Sequence, residues 1–299
     1  MTQDHATHDQ MTQGPTNQGP ASNDRIHRAV SDDGVEIAGR IYGQGPPVVL
    51  VHGAAADGEG EWGQLVPLLA ERFTCYLPNA RCRGLSGSHE HLSREANVRD
   101  ITAFVESIGE PVTLVGVSSG GMTALGVAAR SSAVSQVVAR EPVVFEALAG
   151  SEHAQYVEMV ESLDQSLAQD RVEEAAATFL GFVANDEEWA VLSEDDSGLE
   201  ELAAYLRLDV HEFHEALAFE GPSPTDPAKL RQITAPTLLL HGPRTGRTWF
   251  TDSVRFVAEH APYAEVHEIP GSGHLGHLVD PERDAQVLIP LLEAAHQPA

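Results

Sequence analysis

The sequence predicts an α/β fold: a mostly parallel eight-stranded sheet with helices on both faces, interrupted by one all-helical insertion. Three observations carry this prediction. Short apolar runs bounded by Gly and Pro recur along the chain, PVVLVHG and PVTLVGV among them, as strands buried on both faces require. Segments with helical spacing alternate with these runs, the pattern of parallel strands joined by right-handed crossovers. The alternation stops between Pro142 and about Ile233, where only helical spacing is found.

The elements follow in order. The first 24 residues are rich in Gln, Thr, Gly, Pro and Asp and carry no periodicity, so they read as a disordered tail. His5 and His8 lie in that tail, and composition gives no reason to make them metal ligands. Order is expected from Arg25. RIHRAVS and VEIAGRIY read as two strands around Asp32-Asp33-Gly34, whose Asp-Gly pair is a hairpin signal. PVVLVHG is the third strand. Glu61 to Arg72 has helical spacing through Trp62, Leu65, Leu68 and Leu69, and FTCYLP is the fourth strand. Ser93 to Ile108 sets Val98, Ile101, Phe104, Val105 and Ile108 on one helical face. PVTLVGV then runs directly into the small-residue helix SSGGMTALGVAAR. AVSQVVAR, APTLLLH and AEVHEIP supply the last three strands, and a helix from about Glu282 to Ala295 follows. Within the insertion, helical spacing covers Gln155–Leu167, Val172–Val183 and Leu199–Leu217. The chain thus divides into a tail (1–24), an α/β core (25–141 and 234–299) and a helical cap (142–233).

Charge narrows the function. The 299 residues hold 45 Asp+Glu against 18 Lys+Arg, for a net charge of −27, and Lys229 is the only lysine. Nucleic acid and anionic membranes call for a basic footprint, so both are excluded as partners. No apolar run approaches the roughly 18 residues of a membrane span. The N-terminus shows neither a basic n-region nor an apolar h-region. Cys75 and Cys82 read as two reduced thiols. These features together predict a cytoplasmic protein. The charge is also uneven: residues 141–233 carry 22 acidic and four basic side chains, two thirds of the imbalance in under a third of the chain. One reading is solubility or salt adaptation. The other is a cap that favours a cationic substrate or partner.

The strongest chemical signal is Gly116-Val117-Ser118-Ser119-Gly120, a G-x-S-x-G between a predicted strand and a predicted helix. So sharp a turn strains the central residue, and the flanking glycines keep side chains clear. The Ser118 hydroxyl is then exposed above the sheet, beside a helix N-terminus that favours an oxyanion. Ser119 does not fit the frame, because Val117 stands two residues before it.

Here the chain resembles the α/β-hydrolase fold family, from residue 25 onward. Val49-Leu50-Val51-His52-Gly53 is similar to the family's strand before the oxyanion loop. Arg83-Gly84-Leu85-Ser86-Gly87-Ser88 is similar to its R-G-x-G-x-S loop, and Pro270-Gly271-Ser272-Gly273-His274 to its histidine loop. The resemblance implies an oxyanion hole made by the N–H groups of Ala54 and Ser119. It implies His274 as the base, with His277 as the rival, and leaves His52 a bracing role and His267 an ordinary strand position. The acid departs from the commonest pattern. His241-Gly242-Pro243-Arg244-Thr245-Gly246 contains no carboxylate, and Asp252 falls in the following helix. The alternative family position, at the end of the strand after the elbow, holds Glu141. The acid is therefore Glu141 or Asp252, or else the site is a Ser–His dyad.

A serine nucleophile implies acyl transfer through an acyl-enzyme, on a carboxylic ester, thioester, lactone or amide of a small molecule. Carbon–carbon bond hydrolysis and perhydrolase chemistry remain on the same triad, as does a non-catalytic ligand-binding protein of this fold. No cofactor or metal is implied: no Cys/His cluster has zinc spacing, and no dinucleotide fingerprint is present. His211-Glu212-Phe213-His214 is not a zinc frame and reads as a solvated helix face, and His89 and His91 lie in a loop. Oligomeric state is not legible.

Overall fold

A computed structural model of the chain describes residues 25–194, 198–218 and 223–295. The tail with His5 and His8 lies outside these. The element order is β1 (Ile26–Val30), β2 (Glu36–Tyr42), β3 (Pro47–Val51), α1 (Gly58–Trp62), α2 (Val66–Leu69), β4 (Thr74–Pro78), α3 (Arg94–Ile108), β5 (Val112–Val117), α4 (Ser119–Ala128) and β6 (Val134–Arg140). There follow α5 (Gly150–Ala168), α6 (Val172–Val183), α7 (Asp186–Leu192), α8 (Leu199–Leu217), α9 (Pro227–Leu230), β7 (Thr237–His241), α10 (Thr248–His260), β8 (Ala264–Glu268), α11 (Gly276–Val279) and α12 (Pro281–Ala295).

The eight strands form one sheet in the order β1-β2-β4-β3-β5-β6-β7-β8. β1 and β2 pair antiparallel, as do β2 and β4, and the remaining pairs are parallel. The α/β-hydrolase fold expected from the sequence is thus present. β3 and β5 are buried along their whole length, which is why their sequences are apolar runs rather than alternations. One face packs Ile101 and Phe104 of α3, Leu125 of α4 and Val254 and Val257 of α10 against the strands. The other packs Trp62, Leu69, Leu288 and Leu292 from α1, α2 and α12.

Local signals explain several boundaries. Ser93 caps α3 by accepting from the Ala96 N–H at 3.1 Å, and Gly109 stops it in the left-handed region at φ 82°. Such a cap contributes about 1 kcal/mol. The single helix expected over Glu61 to Arg72 is instead two short ones, α1 and α2. The chain passes from α1 to α2 through Gly63, and Pro67 opens α2. Pro at that point suits a new helix start better than a helix interior.

Between β6 and β7 the described chain is helical throughout. α5, α6 and α8 pack on one another, with Tyr156, Met159, Leu163, Ala175, Leu206 and Phe213 in a third apolar cluster. That cluster also takes in Met122, Trp249, Phe250 and Leu275 of the core, so the insertion is seated on the sheet's carboxyl end. Its last part packs differently: Leu230 of α9 and Ile233 are buried with the sheet residues. None of the described helices is long and apolar enough to cross a membrane. Cys75 and Cys82 are unbridged.

Candidate active site

The residues singled out by the sequence follow the ends of adjacent strands. His52 to Ala54 come after β3, Ser118 after β5, Glu141 after β6, Gly242 after β7 and His274 beyond β8. Open α/β sheets gather functional groups at such carboxyl ends, where the strand order reverses.

Ser118 sits between β5 and α4 at φ 55°, ψ −123°, a conformation that costs a non-glycine residue of order 1–3 kcal/mol. Its backbone is fixed on both sides. Its N–H donates to the Arg140 carbonyl at 3.0 Å, and its carbonyl accepts from Val143 and Met122, each at 3.1 Å. Gly120 permits the turn, since a Cβ there would lie 2.4 Å from the His52 and Val51 carbonyl oxygens. The N–H groups of Ala54 and Ser119 find no partner among the described residues, and both residues line a pocket with Ser118.

Glu141 is fully buried and is another strained residue, at φ 41°. Its own N–H extends the ladder to Leu240 at 2.8 Å. Its carboxylate then reaches two donors: the Gly242 N–H at 2.8 Å and His274 Nδ1 at 2.7 Å. Burial alone would raise this carboxyl. The hydrogen bond and charge of His274, with Arg140 and the Gly242 N–H, outweigh burial and hold it below the ordinary carboxylate range. Asp252, the rival acid, is on α10 in a surface ion pair with Arg255.

The His274 ring stacks on Phe250 with centroids 3.7 Å apart and planes 8° from parallel. With Nδ1 engaged by Glu141, Nε2 is the ring nitrogen outside that pair, and His274 lines the same cleft as Ser118. The loop is held by Arg140, which donates to the Gly273 and His274 carbonyls and to Ser272 Oγ, and pairs with Asp284 at 2.7 Å. Gly273 lets the Asn185 and Glu188 side chains approach: a Cβ would lie 2.2 Å from Asn185 Nδ2 and 2.4 Å from Glu188 Oε1. His277, the rival base, is buried against Glu61 at 2.5 Å. Glu61 in turn accepts the Gly53 N–H at 2.8 Å, so His277 braces the loop that runs from Gly53 to Ala54. Burial would raise the Glu61 carboxyl, and the hydrogen bond and charge of His277 bring it below its ordinary value. His52 is also a brace. Its Nε2 accepts from the Ala80 N–H at 3.0 Å, so Nδ1 donates to the Gly53 carbonyl at 2.8 Å. Burial, with Arg83 nearby, lowers its pKa and keeps the ring neutral.

Two acids of the insertion also reach core loops, and sequence reasoning did not find them. Asp209 of α8 accepts from the Ala55 N–H at 2.6 Å and pairs with Arg83, which donates to the Ala56 carbonyl at 2.6 Å. Glu188 of α7 accepts from the Leu275 N–H at 2.8 Å while completing a capping box with Asn185. For Glu188 a signal existed, since N-D-E-E is a capping-box sequence. For Asp209 there was none.

Two spaces meet at Ser118. A narrow pocket is lined by Ala54, Ser118, Ser119 and mostly apolar side chains of α5, α6, α8 and α10. An open cleft is lined by Gly53, Ala54, Ser118, His274 and faces of α6 and α8. His274 lines the cleft and not the pocket. His214, on the outer face of α8, is half exposed and meets Asp164 at 2.8 Å. His267 lies in β8 near Glu265.

Comparison with known proteins agrees with this architecture. Residues 48–287 match the model of the alpha/beta hydrolase family. A 2-hydroxy-6-oxo-6-(2'-aminophenyl)hexa-2,4-dienoic acid hydrolase of Metapseudomonas resinovorans is 26% identical over 227 residues, covering 73% of this chain and 74% of its own length. Among solved structures, an alpha/beta hydrolase from Sphaerobacter thermophilus DSM 20745 superposes with a TM-score of 0.69 at 26% identity, over 88% of this chain and 99% of that one. An esterase from Rhodococcus sp. ECU1013 shares the fold, with a TM-score of 0.72 at 22% identity over 90% and 99% of the two chains.

Proposed function

The chain belongs to the alpha/beta hydrolase family, and from that premise we propose that it cleaves a carboxylic ester of a small molecule through an acyl-enzyme. Ser118 is the nucleophile, His274 the general base and acid, and Glu141 the orienting carboxylate. The observation that carries this reading is the buried Glu141–His274 pair at 2.7 Å, beside a serine held at an elbow that opens onto the same cleft.

The steps follow from the geometry. Glu141 holds Nδ1 protonated, so the Nε2 lone pair accepts the Ser118 proton as Oγ attacks the acyl carbon. The N–H groups of Ala54 and Ser119 receive the oxyanion, each contributing about 3 kcal/mol to the transition state. The acyl–oxygen bond then breaks and the leaving alkoxide takes the proton from His274. Water attacks the acyl-enzyme, gives its proton to His274, and the acid departs as Ser118 regains a proton. Because His274 lines the cleft, the leaving group is placed there. The acyl chain is placed in the aromatic pocket beside the oxyanion donors. Residues 142–233 act as a cap that shapes the pocket and limits water.

A second reading, carbon–carbon bond hydrolysis, has the Metapseudomonas relative in its favour. Turnover of a vinylogous diketo acid in preference to esters would establish it. A fluorophosphonate should label the native protein and not Ser118→Ala. Absence of labelling in the folded native protein would refute the serine mechanism and leave a ligand-binding protein.

A further inference from the structure

The pocket wall supplied by the insertion carries polar groups that ester hydrolysis does not use. Tyr156 of α5 is 3% exposed and lines the pocket. Its hydroxyl has no hydrogen-bond partner among the described residues. An unmet buried hydroxyl costs about 1–3 kcal/mol, so a group arriving in the pocket is the natural partner. Four rings surround it, those of Phe145, Phe182, Phe213 and Trp249, with centroids 5.4 to 6.1 Å from its own.

Glu212 of α8 lines the same pocket. The neighbouring charges are matched: Arg83 pairs with Asp209, and Arg94 pairs with Glu215 at 3.7 Å. Glu212 makes no ion pair among the described residues. Its one hydrogen-bond partner is the neutral Asn97 amide, at 2.7 Å. Burial and the charge of Asp209 push its carboxyl up to about 7. The approach has the same sign. The cleft to Ser118 and His274 is lined by Asp57, Glu59, Glu61 and Glu201, with no Lys or Arg among its lining residues. Glu59 is paired with Arg40 and Glu61 with His277, which leaves Asp57 and Glu201 without an ion pair among the described residues.

Glu212 has no direct ion pair among the described residues, since the nearby Arg83 and Arg94 pair with Asp209 and Glu215; with an unmet phenol and aromatic faces beside it, it offers what an ammonium group needs. The carboxylate and the phenol accept its N–H donors. Ring faces other than those of Phe145 and Phe182, already covered by Arg94 and Arg247, stabilise its charge by about 0.5–2 kcal/mol. We propose that the substrate carries a protonated amine on its acyl part, drawn in along the carboxylate-lined cleft and held by Glu212, Tyr156 and the surrounding rings. Of the insertion's acids this uses Glu212 and Glu201, the cleft's other carboxylates belonging to the core. The inference rests on the esterase reading for its turnover test, and not for its binding test.

The turnover test compares p-nitrophenyl esters whose acyl chains, of about four to eight carbons, end in ammonium, methyl or carboxylate. The expected result is a kcat/KM about tenfold or more higher for the ammonium ester than for its methyl isostere at the best-fitting length. That ratio should fall towards one in Glu212→Gln and drop in Tyr156→Phe. A methyl or carboxylate ester preferred at every length, or a ratio that survives Glu212→Gln, would overturn the proposal. The binding test titrates Ser118→Ala calorimetrically with n-hexylammonium and with hexanoate. Ammonium binding that is lost on adding Glu212→Gln supports the proposal even if esters are not turned over. Hexanoate bound more tightly than hexylammonium counts against it, whatever the esterase activity.

Discussion

Replacing Glu212 by Gln should stabilise the protein, and increasingly so as pH rises. The carboxyl lies in a pocket wall with Asp209 and Glu215 on its own helix, Arg83 from the loop after β4, and Arg94 and Asn97 from α3. Unfolded, the group ionises near its ordinary 4.5, whereas in the folded chain it does so near 7. Between those values the folded state holds more protons than the unfolded one, so the contribution to stability falls as pH rises through the interval and levels off above it. At about 1.4 kcal/mol per pH unit the full penalty is about 3 kcal/mol, and water reaching the pocket lowers it to about 1–3 kcal/mol. Gln keeps the oxygen that accepts from Asn97 and removes the charge. Urea unfolding of both proteins at pH 5.5 and 8.5, above the pI of about 4.7, isolates the group, because other titrations cancel in the difference. The advantage of Glu212→Gln should grow by about 1–2 kcal/mol between the two conditions. A difference independent of pH, or one favouring Glu212 more at pH 8.5, would refute the reasoning. A carboxylate kept at such a cost points to use rather than to folding.

Other perturbations separate roles within the site. Glu141→Gln leaves His274 in the wrong tautomer and should lower kcat about 10³- to 10⁴-fold, while Asp252→Asn, at the surface, should leave ester turnover as it is; steady-state kinetics of both variants checks this. Asp209→Asn retains the shape and loses the charge that ties Ala55 and Arg83. It should reduce kcat about 10- to 100-fold through a displaced oxyanion loop, with fluorophosphonate labelling slowed in proportion. Arg140→Gln leaves Asp284 buried without its cation, and denaturant unfolding should show a loss of about 3–5 kcal/mol. Gly120→Ala brings a Cβ against two carbonyl oxygens at 2.4 Å; expression of folded, labelled protein from this variant would contradict the elbow geometry.

The sheet was legible because its strands are buried on both faces, so their apolar runs stand out from single-residue patterns. The placement of Glu141 was legible for a related reason: it closes the apolar run of β6, and the missing carboxylate after β7 directed attention there. The splitting of α1 from α2 was not, because Trp62, Leu65 and Leu69 keep helical spacing across a break made by Gly63 and Pro67. Least legible were the long-range carboxylates. Asp209 meets Ala55 across 154 positions of sequence, and nothing local marks an aspartate on an acidic helix as the one that turns inward. Fifteen histidines presented the same difficulty: His52, His274 and His277 are all buried, and only their partners separate the two braces from the proposed base.

Asp209 and Glu188 give the insertion a hold on the two loops that carry Ala55 and Leu275, beside the proposed oxyanion donor and base. A different insertion would bring a different pocket, since α5, α6 and α8 supply much of its wall. In this chain an exchanged segment would also have to bring an acid to the Ala55 N–H and another to the Leu275 N–H. A chimera built on this core with a foreign insertion is therefore expected to be slow before it is selective. Mutations that restore its rate should arise first at the positions equivalent to those two acids, not among the residues that line the pocket.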